Sequence, residues 1–291
     1  MAAFTTLISV QELAESLDDC VVVDCRHDLA RPEAGLAAYQ AGHLPGAHFL
    51  HLDRDLSGPL TGRNGRHPLP DPQVLSARLD DLGLAPGRQL VAYDSDGGMT
   101  AARLWWMARW LGHPEAAVLD GGLPAWIAAG LPVSVDEPKP GARPETRHAR
   151  PAAGPDQSPR RMDAAALLAN IDKPRWLVVD ARAAERYRGE IEPIDARAGH
   201  IPGAINRPFK HNLRDDGRFK PGPVLRAEFE ALIPGRRPEE LVHSCGSGVT
   251  ACHNLLAMAH AGLDGGALYP GSWSEWSSDP SRPIETGDRS V

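Results

Sequence analysis

The residues from Leu241 to Cys252 read L-V-H-S-C-G-S-G-V-T-A-C. They set one thiol, Cys245, behind an apolar pair, Leu241 and Val242, and ahead of two glycines, Gly246 and Gly248. Leu255, Leu256 and Met258 follow at helix-like spacing. This order predicts a strand, a tight loop and a helix start, with the thiol at the bend. Glycine lets the backbone turn sharply and approach a ligand closely. The first amides of the helix lack helical partners and carry the positive end of its dipole. A sulfur ringed by such N–H groups is expected to ionise near neutral pH. Cys245 is therefore expected to be a nucleophile that carries a sulfur atom, served by the loop Gly246, Ser247, Gly248, Val249 and Thr250. The competing reading is a buried structural cysteine, a common fate of a free thiol.

Arg186 and Arg188, in E-R-Y-R-G, add an anion-binding chemistry. A sulfur donor is an anion, and the planar guanidinium fork suits its oxygens. Arg186 is expected to clamp the substrate; the alternative is a surface ion pair with Glu185 or Glu190. Ser247 and Thr250 offer hydroxyl donors to a persulfide or a leaving enolate, although Thr250 can equally serve as a helix cap. Cys252 and His253 sit just inside the helix and project in different directions, so they form no metal pair with Cys245, and Cys252 is expected to pack. No cysteine pair has the C-x-x-C spacing of a zinc or dithiol site, and no residue set calls for a metal or cofactor.

These residues need elements to hold them. Val21–Val23 and Leu90–Tyr93 read as buried strands, and Asp71–Leu82 and Thr100–Leu111 as helices. Ser9 and Glu12 form a capping box ahead of a first helix. Thr61–Pro70 reads as a polar, Gly/Pro-rich connection. From Val133 to Arg161 the chain carries Pro138, Pro140, Pro144, Pro151, Pro155 and Pro159 with few large apolar residues, which reads as an extended linker.

After the linker the pattern starts again. Val22 to Arg26 (V-V-D-C-R) matches Val178 to Arg182 (V-V-D-A-R). Ala41 to Ala47 (A-G-H-L-P-G-A) matches Ala198 to Ala204 (A-G-H-I-P-G-A). Gly98 to Ala101 matches Gly248 to Ala251, and Gly121 and Trp126 match Gly271 and Trp276. The chain is thus expected to hold two copies of one α/β domain, at residues 1–135 and 161–291, joined by a linker at 136–160. Alternating strands and helices predict a mostly parallel sheet with helices on both faces in each copy. Ligands in such sheets bind at the carboxyl ends of strands, where Cys245 falls.

A duplicated fold lets one half test the other. Residues present in both halves serve the fold; a residue unique to one half is a candidate for function. Aligning Gly98 with Gly248 sets Ser95 opposite Cys245, with Asp94 and Asp96 nearby to oppose an anion. The first half is expected to be inactive. His43 and His200 are shared, as are the pairs Asp24/Arg26 and Asp180/Arg182, so all are expected to tie the turns and strand ends together. Arg186 faces Ala30 and has no basic counterpart.

The net charge of −7 is spread without a basic cluster, which argues against a nucleic-acid partner. No stretch approaches the roughly 20 apolar residues of a membrane span. The N-terminus lacks the pattern of a secretory signal, and four cysteines in 291 residues do not make a disulfide framework. A reducing, cytoplasmic setting is expected.

Taken together, the two A-G-H-x-P-G-A turns, D-G-G-L-P-A-W at 120–126 and Y-P-G-S-W-S-E-W at 269–276 resemble the rhodanese-type sulfurtransferases in their two-domain form with an inactive first half. The loop from Cys245 to Thr250 is similar to that of enzymes using 3-mercaptopyruvate; thiosulfate-preferring relatives usually carry two basic residues where Gly246 and Ser247 stand. The resemblance implies that Cys245 takes the outer sulfur of the donor as a persulfide, releasing pyruvate, and passes it to cyanide, a thiol or a protein acceptor. Thiosulfate as donor, releasing sulfite, is the alternative, and a persulfide carrier for a partner protein is a more distant one. Arg186 matches the family arginine that binds the donor anion. A second family arginine is replaced by Ile194, and Arg197 is close in sequence but out of register. The family's proton relay would map to His43 and Ser247. A cysteine phosphatase would need arginine where Ala251 stands, and a thiol-redox protein would need a resolving cysteine at suitable spacing.

Overall fold

Runs of β-branched and apolar residues bounded by turn residues become the strands. In a computed structural model describing residues 3–138 and 159–288, every position of Cys20–Asp24, Ala116–Leu119, Leu177–Asp180 and Leu241–Ser244 is buried. Side chains alternate between the faces of a sheet, so burial at every position means that both faces are covered. Most of the proline-rich stretch expected as a linker, residues 139–158, lies outside the described residues.

The chain divides into two units, and the division is not a single cut. Unit 1 comprises Met1–Gly58, Pro70–Ser158 and Asp215–Phe219; unit 2 comprises Pro59–Leu69, Pro159–Arg214 and Lys220–Val291. Each unit therefore takes in a short segment from the other half of the sequence.

Unit 1 runs β1 (Leu7–Ile8), α1 (Val10–Ser16), β2 (Cys20–Asp24), α2 (Ala34–Ala41), β3 (His48–Phe49), α3 (Pro72–Asp81), β4 (Gln89–Tyr93), α4 (Ala101–Trp110), β5 (Ala116–Leu119) and α5 (Gly122–Ala128). Its strands pair in parallel in the order β1-β5-β4-β2-β3. Unit 2 runs α6 (Ala164–Asp172), β6 (Leu177–Asp180), α7 (Ala184–Tyr187), β7 (Ile205–Asn206), α8 (Gly222–Leu232), β8 (Leu241–Ser244), α9 (Thr250–His260), β9 (Ala267–Leu268) and α10 (Ser272–Ser278). Its order is β7-β6-β8-β9, again all parallel. Arg161 makes a single parallel bridge to Leu268 where β1 stands in unit 1.

Local chemistry sets the helix starts. The expected capping box forms: Glu12 N–H donates to Ser9 Oγ, and the Glu12 carboxylate accepts Ser9 N–H at 2.9 Å. Asp71 accepts the N–H groups of Gln73 and Val74 at the head of α3, and Asp163 accepts that of Ala166 in α6. In unit 1, Cys20, Val22, Val91, Tyr93 and Ala117 pack with Val10, Leu13 and Trp126. In unit 2, Val178, Val242 and Ala267 pack with Leu167, Tyr187, Trp273 and Trp276. Trp126 and Trp276 are each 1% and 0% exposed, and truncation of such a ring to Ala costs about 3–5 kcal/mol.

The shared residues do the same work twice. Trp126 Nε1 donates to Pro132 O, and Trp276 Nε1 to Pro283 O, both at 2.8 Å. Tyr39 donates to Ala47 O and stacks on His43; Tyr187 donates to Ala204 O and stacks on His200. Arg26 and Arg182 each pair with the aspartate two residues earlier and reach a turn carbonyl, Gly42 O or Gly199 O, at 2.7 Å.

These contacts also correct one alignment. Tyr39 and Tyr187 are equivalent, so the counterpart of Arg186 is Ala38 rather than Ala30. The first half still offers no cation there.

Candidate active site

β8 delivers Cys245 at its carboxyl end, where the thiol is 1% exposed. The backbone there is fixed from α10: Cys245 N–H donates to Ser272 Oγ at 3.0 Å, and Cys245 O accepts Trp273 N–H at 2.9 Å. Gly246 O accepts Ser274 N–H at 2.8 Å. Gly248 N–H donates to the sulfur at 3.1 Å. Gly248 has φ +76°, and a Cβ there would fall 2.3 Å from Pro270 O, so glycine is required to aim that N–H. Val249 precedes the first residue of α9, Thr250, and no side chain caps the helix start. Thr250 therefore does not act as the cap. Cys252 is fully buried, and its thiol donates to Gly248 O at 3.4 Å, a packing role beneath the loop.

Ser272 has φ +51°, the only positive φ of a non-glycine among the described residues. Its counterpart in unit 1 is Gly122, at φ +58°. The left-handed region costs a residue with a Cβ about 1–2 kcal/mol. Here the hydroxyl offsets that cost by accepting the buried Cys245 N–H while donating to Tyr269 O at 2.9 Å.

Register identifies the unit 1 counterpart of Cys245. Tyr93 pairs with Asp24 as Ser244 pairs with Asp180. Leu123 N–H donates to Asp94 O as Trp273 N–H donates to Cys245 O, both at 2.9 Å. The counterpart of Cys245 is therefore Asp94, not Ser95, and the first-half loop has an extra residue before Thr100. The Asp94 carboxylate accepts four backbone amides: Asp96 and Gly98 on Oδ1 at 2.9 Å, Thr100 on Oδ2 at 2.8 Å and Ala101 on Oδ2 at 2.9 Å. The loop amides of unit 1 are thus already taken by a carboxylate of the chain itself.

Beside the Cys245 loop lies a network of arginines and acids. A Cβ built on Gly246 would be 3.7 and 4.0 Å from Nη1 and Nη2 of Arg186. Arg186 pairs with Glu192 at 2.6 Å and Asp195 at 3.1 Å, whereas Glu190 is taken by Arg188. Burial pushes the Glu192 carboxyl up, but the hydrogen bond from Arg186 and the N–H groups of Asp195 and Ile194 outweigh it and hold it below the usual carboxylate range. Arg182 lies over the Trp273 ring at 4.6 Å. Burial works against its charge, yet Asp180, Glu192 and the nearby Cys245 keep it protonated. Arg197 caps α10, donating to Ser277 O at 2.9 Å and also to Asp279 O and Arg282 O, so it does not stand in for a second substrate arginine.

Two residues of this site come from the segment Pro59–Leu69, which reads in the sequence as a connection. His67 Nδ1 lies 2.7 Å from Ser247 Oγ, with both side chains buried. Arg66 Nη1 donates to Asp195 Oδ1 at 2.7 Å, and its Nη2 is 3.3 Å from the Cβ position of Gly246. The internal repeat held a signal for both: Gly65-Arg66-His67 recurs as Gly217-Arg218-Phe219, with Phe in the place of His in the segment that joins unit 1, the unit without Cys245. In unit 1, Phe219 sits against Gly98 and donates its N–H to Asp120 at 2.8 Å.

The relay histidine expected at His43 is corrected on the same grounds. His43 belongs to unit 1, 1% exposed, with Nδ1 2.8 Å from Tyr39 O and Nε2 3.1 Å from Asp136 O. Both ring nitrogens face carbonyls, and its twin His200 makes the matching Nδ1 contact with Tyr187 O. The histidine that reaches Ser247 is His67.

Among the described residues, one group has the residue types and closeness of a metal site: His27, His51 and Asp53 in unit 1. His51 Nδ1 accepts Asp53 N–H at 3.1 Å, so that nitrogen of the group is already engaged. No helix among the described residues is long and apolar enough to cross a membrane.

The rhodanese-like domain family matches residues 9–129 and 163–279. The chain is 49% identical to a probable 3-mercaptopyruvate sulfurtransferase of Pseudomonas aeruginosa, covering 97% of this chain and 98% of that one. It is 40% identical to a putative thiosulfate sulfurtransferase of Mycobacterium tuberculosis, covering 97% of each. The crystal structure of SseA from Escherichia coli, described as a 3-mercaptopyruvate sulfotransferase, superposes with a TM-score of 0.75 at 30% identity, covering 94% of this chain and 100% of that one.

Proposed function

The chain belongs to the rhodanese-like domain family and transfers sulfur, and from that premise we propose that Cys245 accepts the sulfur of 3-mercaptopyruvate as a persulfide and hands it to a small thiol, cyanide or a protein thiol. The Cys245 thiolate attacks the donor sulfur and forms the new S–S bond. The C–S bond breaks, and its electron pair leaves on carbon as the enolate of pyruvate. The enolate carbon takes up a proton, while the persulfide gives up the one it received with the donor thiol. In the second half-reaction the acceptor attacks the outer sulfur, and Cys245 returns as thiolate. The sulfur atom is carried on the protein itself, so the cycle calls for no cofactor.

The observation that carries the choice of donor is the 2.7 Å contact between Ser247 and His67. An enolate must be protonated at carbon to leave as pyruvate, and a hydroxyl backed by an imidazole supplies and replaces such a proton. Sulfite, the leaving group of thiosulfate, departs as a stable anion and needs no proton. Thiosulfate remains the second donor, favoured by the Arg186 guanidinium beside Gly246, which fits a sulfonate as well as a carboxylate. Cys245 must be reduced to act, which suits a cytoplasmic setting, and none of the four cysteines is in a disulfide.

The test is donor-dependent thiocyanate formation together with mass spectrometry of donor-treated protein. One added sulfur on Cys245 is expected, Cys245→Ser should be inactive with both donors, and Cys252→Ser should stay active. Sulfur found on Cys252 instead, or turnover in Cys245→Ser, overturns the assignment.

A further inference from the structure

Two guanidinium groups, from distant parts of the sequence, converge on one glycine of the Cys245 loop. The Cβ position of Gly246 lies 3.3 Å from Arg66 Nη2 and 3.7 Å from Arg186 Nη1. Asp195 ties the two together: Oδ1 accepts Arg66 at 2.7 Å and Oδ2 accepts Arg186 at 3.1 Å. The Asp195 side chain is only 4% exposed, so it holds both arginines in a fixed relation.

The arginines are not fully satisfied. Arg66 Nε and Arg186 Nε are both buried, and neither has a hydrogen-bond acceptor. A buried N–H without an acceptor costs about 1–3 kcal/mol, and folded proteins rarely tolerate one, let alone a neighbouring pair. The local charges balance as they stand, since Arg66, Arg182 and Arg186 face Asp180, Glu192 and Asp195. What the cluster lacks is therefore not counter-charge in bulk. It lacks acceptor atoms at N–H groups of the two arginines that flank the Cys245 loop at Gly246, which a planar carboxylate provides.

We propose that Arg66 is the second arm of the donor clamp, binding with Arg186 the carboxylate of an α-keto acid sulfur donor, and that Asp195 is the positioning residue that sets the spacing of the two arms. The proposal rests on the reading of Cys245 as the sulfur-accepting nucleophile. It also explains how a chain with Ile194 on an exposed stretch and Arg197 engaged in capping α10 can grip its donor from two sides. The second arm enters from the Pro59–Leu69 segment instead.

Two measurements on the full-length protein test this, with Arg66→Gln, Arg66→Lys and, as a control, the exposed Arg63→Ala. In initial-rate kinetics with 3-mercaptopyruvate and cyanide, Arg66→Gln should raise the donor KM about tenfold or more while kcat changes far less and the cyanide KM is unaffected. Arg66→Lys should recover part of the loss, and Arg63→Ala should match wild type. The second readout is the ratio of Cys245 alkylation rates with iodoacetate and with neutral iodoacetamide. Iodoacetamide reports access and thiolate fraction, so the ratio isolates the pull of the site on a carboxylate. It should fall about tenfold in Arg66→Gln and not in Arg63→Ala. Wild-type KM and wild-type ratio in Arg66→Gln would overturn the role of Arg66. A wild-type protein that moves no sulfur from either donor would instead overturn the reading of Cys245.

Discussion

At the scale of single residues, the chemistry rests on pairs that differ between the two units. Cys245 corresponds to Asp94, Ser272 corresponds to Gly122, and His67 recurs as Phe219. The Ser247–His67 pair should matter for one donor only. Ser247→Ala and His67→Phe are expected to lower kcat with 3-mercaptopyruvate about 100-fold while leaving thiosulfate turnover within a few-fold of wild type. Equal losses with both donors, seen in parallel steady-state assays, would mean that the pair shapes the loop and moves no proton. The amide ring gives a second prediction. Asp94→Ala removes the acceptor of four backbone N–H groups, three of them buried, and thermal or urea unfolding should show a loss of about 3 kcal/mol. Cys245→Asp, by contrast, should fold at least as stably as wild type and be inactive, because the new carboxylate reproduces the seating of Asp94.

At the scale of elements, β8 does more than carry the thiol. His243, two residues before Cys245, is fully buried, with no hydrogen-bond partner on either ring nitrogen. Burial pushes its pKa down from 6.5 to about 3. A histidine whose folded pKa is depressed stays neutral in the native state while the unfolded chain takes up its proton. Its contribution is therefore intact above about pH 6.5 and is lost as the pH falls towards about 3, at about 1.4 kcal/mol per pH unit within that window. His243→Leu should flatten this part of the stability–pH curve, as followed by denaturant titration at a series of pH values; an unchanged slope would show that another group sets it. Such a histidine is not legible from sequence. It stands in L-V-H-S-C beside a candidate nucleophile and invites a catalytic role, whereas only the burial of its strand on both faces shows that it is core.

At the scale of the whole molecule, the repeat made the architecture legible. The matching V-V-D-x-R and A-G-H-x-P-G-A segments reported two copies of one α/β unit, and the paired Trp, Tyr, His and Arg contacts appear in both. Two things escaped that reading, each for a physical reason. The extra residue in the first-half loop shifts Asp94 into the place of Cys245, and strand register reveals this where a glycine-anchored alignment does not. Pro59–Leu69 has no hydrophobic period, so nothing local says that it joins unit 2 and brings Arg66 and His67 with it. A second half produced alone, residues 159–291, lacks both side chains. It should move sulfur from 3-mercaptopyruvate no faster than the His67→Phe protein even where Cys245 still reacts with iodoacetamide. Full activity of that fragment in the thiocyanate assay would show that the segment is dispensable.

The seated carboxylate of Asp94 also has a use as an internal standard. Counted along the side chain, its Cγ corresponds to the sulfur of Cys245, and its two oxygens to the next atom out, the sulfur that Cys245 is proposed to acquire during turnover. Unit 1 thus carries, in ordinary amino acids, a permanent likeness of the loaded state of unit 2. The amide resonances of Gly98, Thr100 and Ala101, which are tied to that carboxylate, forecast how those of Gly248, Thr250 and Ala251 should move when the donor is added and return when cyanide discharges it.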